Sequence, residues 1–202
     1  MSLWLAARSL VLASKSDSRR AILQSAGIPI DIVPAEIDER TIEARAGSVD
    51  AGEIAALLAR EKATAVAAQM PGPLVLGADQ TLALGERLIT KPSDLAEARE
   101  QLKTLRGKTH ILHAALAVAR DGEIVFEHRD EARLTMRAFS DAFLNRYLET
   151  AGHAVTASVG AYQVERSGIH LFERIEGSHF TILGLPLLPL LDFLRREGAL
   201  SA

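Results

Sequence analysis

The apolar triplet Leu10-Val11-Leu12 gives way abruptly to small polar residues, and beyond it the apolar positions change from a continuous run to a helical spacing. That change predicts a short buried strand at 10–12 feeding a helix that Arg19 and Arg20 open, Ile22 and Leu23 anchor, and Ala26-Gly27 stops. Residues 29–33 read as a second strand. A loop follows, with three carboxylates, Glu36, Asp38 and Glu39, around one apolar anchor, Ile37. Asp50 with Glu53 resembles a capping box, and the pattern then runs helical to about residue 69, with Ile54, Leu58 and Ala65 on the apolar stripe. Pro71-Gly72-Pro73 ends it. Residues 74–78 form a buried strand that terminates in Asp79-Gln80. A short hairpin tipped by Gly85-Glu86 leads to Thr90-Lys91-Pro92, where the proline imposes an extended approach.

Ser93 and Asp94 cap a helix running through residue 105 and stopped by Gly107. From 109 to 135, two alternating apolar runs flank Asp121-Gly122, a hairpin signal. Residues 140–149 are helical with Phe143, Leu144 and Tyr147 inward, ending at Gly152. The segment 159–165 is dense in small and aromatic residues and suits either a base-sized pocket wall or a packed loop. Gly184-Leu185-Pro186 opens a last amphipathic helix to about residue 196. No internal repeat or low-complexity linker interrupts the chain. Strands mostly alternate with helices, which predicts one α/β domain over residues 1–202, with two lobes around a cleft.

Composition narrows the classes of function. With 48% hydrophobic and 24% charged residues over 202 positions, the chain has material for a substantial core. A net charge of -3 offers no basic face for DNA or RNA. The absence of cysteine excludes disulfides, thiolate nucleophiles and cysteine-bound zinc. Residues 1–13 lack a basic leading segment and carry Arg8, so a signal peptide is not expected there. The apolar stretch 183–191 is half a membrane span and holds two prolines. A soluble cytoplasmic protein is expected.

A strand turning sharply into a helix aims unpaired N–H groups at the space above the strand, and Ser14, Ser16 and Arg19 reinforce that anion site. A capped helix with solvated arginines is the plainer reading. Lys62 falls on the inner face of its helix, where it either snorkels to an edge or meets an anion. Asp79, at the carboxyl end of a central strand, lies where open α/β sheets place ligand chemistry, or else caps a turn. Gly107-Lys108-Thr109 is not a phosphate-binding P-loop, because Leu102 stands where its first glycine is needed and a helix precedes the strand. His110 and His113 point to opposite faces of a strand and share no metal. Carboxylates without cysteine or paired histidine suit Mg²⁺ or Mn²⁺, and the cations Arg19, Lys62 and Lys91 suit phosphates. Together they predict a nucleotide polyphosphate held through a metal, with water attacking phosphorus.

At nearly full length the chain resembles the Maf nucleoside triphosphate pyrophosphatases. The likeness rests on Leu12-Ala-Ser14-Lys-Ser16-Asp-Ser18-Arg19-Arg20, Ile37-Asp38-Glu39, Ala59-Arg-Glu-Lys62, Gly77-Ala-Asp79-Gln80, Lys91-Pro92, Gly160-Ala-Tyr162, and Phe172-Glu-Arg-Ile-Glu-Gly177-Ser178 with Gly184-Leu-Pro186. The resemblance implies a mixed twisted sheet flanked by helices, related to the ITPase fold. It implies metal-dependent cleavage of a nucleoside triphosphate to the monophosphate and pyrophosphate. It further implies clearance of non-canonical or modified nucleotides by a cytoplasmic homodimer; some members are associated with arrest of cell division, so a non-catalytic nucleotide-binding regulator is the alternative. By the same analogy Asp79 is the proton acceptor and, with Glu39, a metal acid. Arg19, Lys62 and Lys91, with Ser14 and Ser16, hold the phosphates, while Ser18, Gln80 and Glu165 set base choice.

The chain also departs from the family pattern. Asp17 stands where proline is usual, Ser18 replaces an arginine or tryptophan, and His113-Ala114 replaces Thr-Gly. Gln80 and Glu165 lean toward the subgroup acting on 7-methyl-GTP, since Glu165 is an acceptor for guanine's N–H and amino groups. Serine at position 18 removes a stacking partner for a cationic methylated base.

Overall fold

In the computed structural model, which describes residues 2–47 and 50–202, seven strands form one mixed sheet. The strands are β1 (Leu10–Leu12), β2 (Ile30–Ile32), β3 (Val75–Leu84), β4 (Arg87–Ile89), β5 (Thr109–Arg120), β6 (Glu123–Met136) and β7 (Phe172–Glu176). Their order is β2-β1-β3-β5-β6-β7, with β4 paired to the far end of β3. β1 runs parallel to both β2 and β3, and every other pairing is antiparallel. The helices are α1 (Asp17–Ser25), α2 (Glu39–Ala46), α3 (Ala51–Ala67), α4 (Leu95–Leu105), α5 (Asp141–Ala151), α6 (His179–Ile182) and α7 (Leu187–Arg196). Among the described residues no helix is long and apolar enough to cross a membrane.

Local chemistry explains most of the boundaries. Ser16, Asp38, Asp50, Asp94 and Ser140 each accept a backbone N–H of the helix they precede. At the β5–β6 hairpin, Asp121 and Gly122 both take positive φ, as a two-residue turn between right-twisted strands requires.

Four expectations are corrected. The chain after Ile37 is not a loop: Asp38 accepts from the Thr41 amide and hydroxyl at 3.2 and 2.6 Å and starts α2. That helix has weak apolar periodicity, and a single anchor did not reveal it. The central strand does not stop at Asp79 but continues to Leu84, because Thr81, Leu82 and Ala83 keep pairing with β5. Glu53 does not close a capping box; its carboxylate pairs with Arg129 on β6. The stripe of α3 that packs on the sheet is Ala55, Ala59, Ala63 and Val66, and Ala65 lies off it, half-buried.

Small side chains draw α3 close to the sheet. Ala55, Ala59 and Ala63 face Ala115, Ala117 and Ala119 of β5 and Val75 of β3. Gly77 is the tightest point: a Cβ there would clash with the Ala59 carbonyl oxygen and lie 2.6 Å from the Ala63 nitrogen. Larger side chains make two further clusters. One joins β1, α1 and α7 through Leu10, Leu12, Leu23, Leu190 and Phe193. The other joins α4, α5 and the segment 155–171 to the far half of the sheet. The functional cavity lies between these two clusters.

Candidate active site

The site occupies a gap along one edge of β3. On the edge away from β5, β3 pairs with β1 only at Val75 and Leu76 and with β4 only from Leu82 to Leu84. The ladder from β1 ends with Val11 and Ala13 donating to Leu74 and Leu76 at 2.9 and 2.8 Å. The chain then turns into α1, and a side chain makes the next bond in that row. Arg19 donates through Nη1 to the Ala78 carbonyl at 2.8 Å and to Ser14 Oγ at 3.1 Å, and through Nε to the Gly184 carbonyl at 2.8 Å. Arg19 is buried, and desolvation lowers its pKa while Asp79 and Glu39 pull the other way. It is therefore a structural pin as well as a cation, which the sequence reading did not anticipate. Among the described residues its Nη2 has no hydrogen-bond partner, and that group remains for an anion.

The two serines are committed in part. Ser14 Oγ accepts from Arg19 and from the Ser16 amide at 3.2 Å, and Ser16 Oγ caps α1 by accepting from the Arg19 amide at 3.3 Å. Each hydroxyl keeps its own proton to donate. Asp17, where the family pattern has proline, pairs with Arg20 at 2.8 Å and is largely exposed.

Strand alternation sends successive β3 side chains to opposite faces. Asp79 points to α3, where Lys62 Nζ lies 2.5 Å from its Oδ1. The same nitrogen lies 2.7 Å from Oε1 of Glu39, the first residue of α2. Residues 39, 62 and 79 thus meet at one ammonium, and the snorkelling alternative for Lys62 is set aside. Burial pushes the Asp79 carboxyl above the usual range, against the opposing pull of Lys62 and Arg19. Of the three acids before α3, only Glu39 makes this contact; Asp38 is spent on its cap. Glu43, one turn further along α2, was not singled out from the sequence. It is half-buried, and its pKa is raised by desolvation and by Asp79 and Glu39. Its signal was the four-residue spacing from Glu39, legible only once 39–46 is known to be helical.

A cavity of about 270 Å³ opens beside this cluster. Ser16, Ser18, Arg19, Asp79, Gln80, Lys91 and Glu165 all line it. Ser14, Lys62 and Glu39 do not: Ser14 accepts from Arg19, and Lys62 links the half-exposed Glu39 to Asp79. Gln80, on the face opposite Asp79, donates both protons of its amide to the carbonyls of Thr181 and Ile182 at 2.9 and 3.0 Å, so only its oxygen remains as an acceptor. Glu165 accepts from the Ser18 hydroxyl at 3.1 Å, joining α1 to the opposite wall. The segment 157–165 does form cavity wall, through Ser158, Val159, Tyr162 and Val164. It is held from behind: Tyr147 donates to the Ala161 carbonyl at 3.1 Å, and Tyr162 Oη is 2.7 Å from Nε2 of the fully buried His110. Gly160 takes φ 76°, and a Cβ there would lie 2.6 Å from atoms of Leu82 and Tyr162. As the spacing predicted, His110 and His113 part company; His113 sits beside Asp50 and Gly52 near the start of α3.

Glu39 and Asp79 supply only oxygen donors, which fits a hard divalent cation in kind. Among the described residues, no three His, Cys, Asp or Glu side chains form a metal cage. Two carboxylates completed by substrate phosphates and water are the usual arrangement for Mg²⁺, so the residues present fit such an ion.

Known proteins place the chain. A nucleoside triphosphate pyrophosphatase of Rhodopseudomonas palustris (strain BisB18) is 54% identical over 201 residues, spanning 100% of both chains. One of Bradyrhizobium diazoefficiens is 58% identical over 201 residues, again spanning 100% of both. A 7-methyl-GTP pyrophosphatase of Rhizobium etli is 47% identical over 195 residues, 95% of this chain and 98% of its own. The family described as Maf-like protein matches residues 9–197. This chain belongs to the Maf-like family.

Proposed function

We propose that this protein hydrolyses a nucleoside triphosphate at its α–β anhydride, with a divalent metal, releasing the monophosphate and pyrophosphate. The observation that carries the reading is the buried carboxylate of Asp79 beside a cavity lined by Arg19, Lys91, Ser16 and Ser18. The names of the relatives agree with it.

In this mechanism Asp79, a buried carboxylate at the cavity wall, accepts a proton from the attacking water. The new P–O bond forms as the bridging P–O bond breaks, and pyrophosphate departs. Arg19 Nη2, Lys91 and Lys62 offset the charge that builds on the phosphate oxygens. The Ser16 hydroxyl, with the first amides of α1, holds the phosphate tail, and Ser14, expected from the resemblance to share that task, instead braces Arg19 from outside the cavity. Glu39 and Asp79 would hold the metal ion, which when bound screens the triphosphate charge and makes phosphorus more electrophilic.

Base choice follows from the acceptors left at the wall. Gln80 presents only its oxygen, and Glu165 adds a carboxylate. Together they favour a base that presents N–H donors, as guanine does, and a positively charged methylated ring gains further from Glu165. The substrate we propose is a modified guanine nucleotide such as 7-methyl-GTP. A single domain, a homodimer and a cytoplasmic location belong to the same proposal, the dimer being checked by light scattering.

The test is product release against 7-methyl-GTP, GTP, dTTP, UTP and ITP with Mg²⁺ or Mn²⁺. Pyrophosphate from the guanine substrates is the expected result. Orthophosphate, or no release from any member of the panel, contradicts the reading.

A further inference from the structure

Lys62 stands in an unusual place for a phosphate-binding group. Its side chain is 11% exposed, it does not line the cavity, and its ammonium sits between the two carboxylates assigned above to the metal. Both contacts are short charge-assisted bonds, 2.7 Å to Glu39 and 2.5 Å to Asp79. Arg19 also lies close enough to act on Asp79, and a third acid, the half-buried Glu43, acts on Asp79, Glu39 and Lys62. Lys62 is the cation in direct contact with both Glu39 and Asp79. A divalent cation arriving alone would have to share these carboxylates with an ammonium at close range, and at the buried Lys62–Asp79 contact like charges repel strongly. A triphosphate changes that balance, because its negative charge gives the ammonium somewhere else to go.

We propose that Lys62 is a built-in placeholder: in the nucleotide-free protein its ammonium fills the seat of the divalent ion and keeps the ion out. The triphosphate draws Lys62 off the carboxylates, so metal and nucleotide bind with strong positive coupling. Uncomplexed metal is thereby kept from a site that has nothing to hydrolyse. The proposal rests on reading Glu39 and Asp79 as the metal acids.

The experiment measures Mn²⁺ binding without nucleotide, by the loss of the free-ion electron paramagnetic resonance signal. Wild-type protein is compared with Lys62→Met, Lys62→Gln and Lys62→Arg, each first shown to be folded by its thermal transition. The neutral variants are expected to bind Mn²⁺ roughly tenfold tighter than wild type or better, and Lys62→Arg no tighter. Adding Asp79→Asn to Lys62→Met is expected to abolish the gain. Neutral variants that bind Mn²⁺ no better than wild type overturn the placeholder. If only one neutral variant folds, it decides the matter; should neither fold, Lys62→Arg binding Mn²⁺ tighter than wild type overturns it and binding no tighter supports it. A separate arm follows the Mn²⁺ concentration giving half-maximal turnover in Glu39→Gln. A clear rise keeps the metal assignment whatever Lys62 does, and no change overturns both.

Discussion

Asp79 and Gln80, adjacent on β3, leave opposite faces of the sheet: Asp79 meets Lys62 of α3 at 2.5 Å, and Gln80 ties down the backbone of α6 at 2.9 and 3.0 Å. One dipeptide thus carries the proposed base on one side and an anchor for the opposite wall on the other. Both still border the same cavity, because among the described residues β3 has no strand neighbour along one edge at this point. The gap between the end of β1 and the start of β4 is therefore what turns a sheet interior into a site.

Gly77 sets how closely α3 approaches that strand. Gly77→Ala is expected to cost about 1–3 kcal/mol, because the added methyl meets helix backbone that cannot rotate away. The same push moves Lys62 from Asp79, so the variant is expected to lose activity under conditions where it remains folded. Chemical denaturation and pyrophosphate release on the same preparation check this. Wild-type stability with wild-type turnover would contradict it.

Arg19 is predicted to be more than a charge. Arg19→Lys keeps the cation but lacks the planar fork that spans Ala78, Ser14 and Gly184. Losing buried partners for these acceptors is expected to cost about 2–4 kcal/mol and to lower kcat/KM together with stability. A variant that binds nucleotide more weakly with an unchanged denaturation midpoint would show that the phosphate role alone matters.

His110 gives a pH dependence with a definite sign. Burial holds its imidazole pKa down to about 4, against an ordinary value of 6.5. As pH falls from 6.5 toward 4, the unfolded chain takes up a proton that the folded protein refuses, so stability is lost across that window and is fully present above it. Between pH 7 and 4.5, wild type should therefore lose about 2–3 kcal/mol more than His110→Phe, measured by denaturant titration at both pH values. Parallel losses in the two proteins would rule this out.

The sequence was most informative where chemistry is local. The caps at Asp50 and Asp94 and the Asp121-Gly122 turn are each decided by a few neighbouring residues, and they lie where the pattern put them. What stayed hidden depends on partners distant in the chain. The helix at 39–46 has little apolar face of its own, and Glu43 disappeared with it. The continuation of β3 past Asp79 is sustained by pairing with β5, which no pattern within 74–80 encodes. The double duty of Arg19 required knowing that β1 stops one bond short of Ala78. The strand at 172–176 was likewise missed, because it is a partly exposed edge strand whose alternation is broken by Glu173 and Arg174.

The central claim is that a carboxylate at position 79 accepts the proton during cleavage, and Asp79→Asn tests it with almost no change in shape. The measurement is pyrophosphate release from 7-methyl-GTP with Mn²⁺, alongside equilibrium binding of a non-hydrolysable analogue. The account predicts a loss of turnover of about 10²-fold or more, with nucleotide binding retained. An amide variant that releases pyrophosphate at the wild-type rate would contradict it.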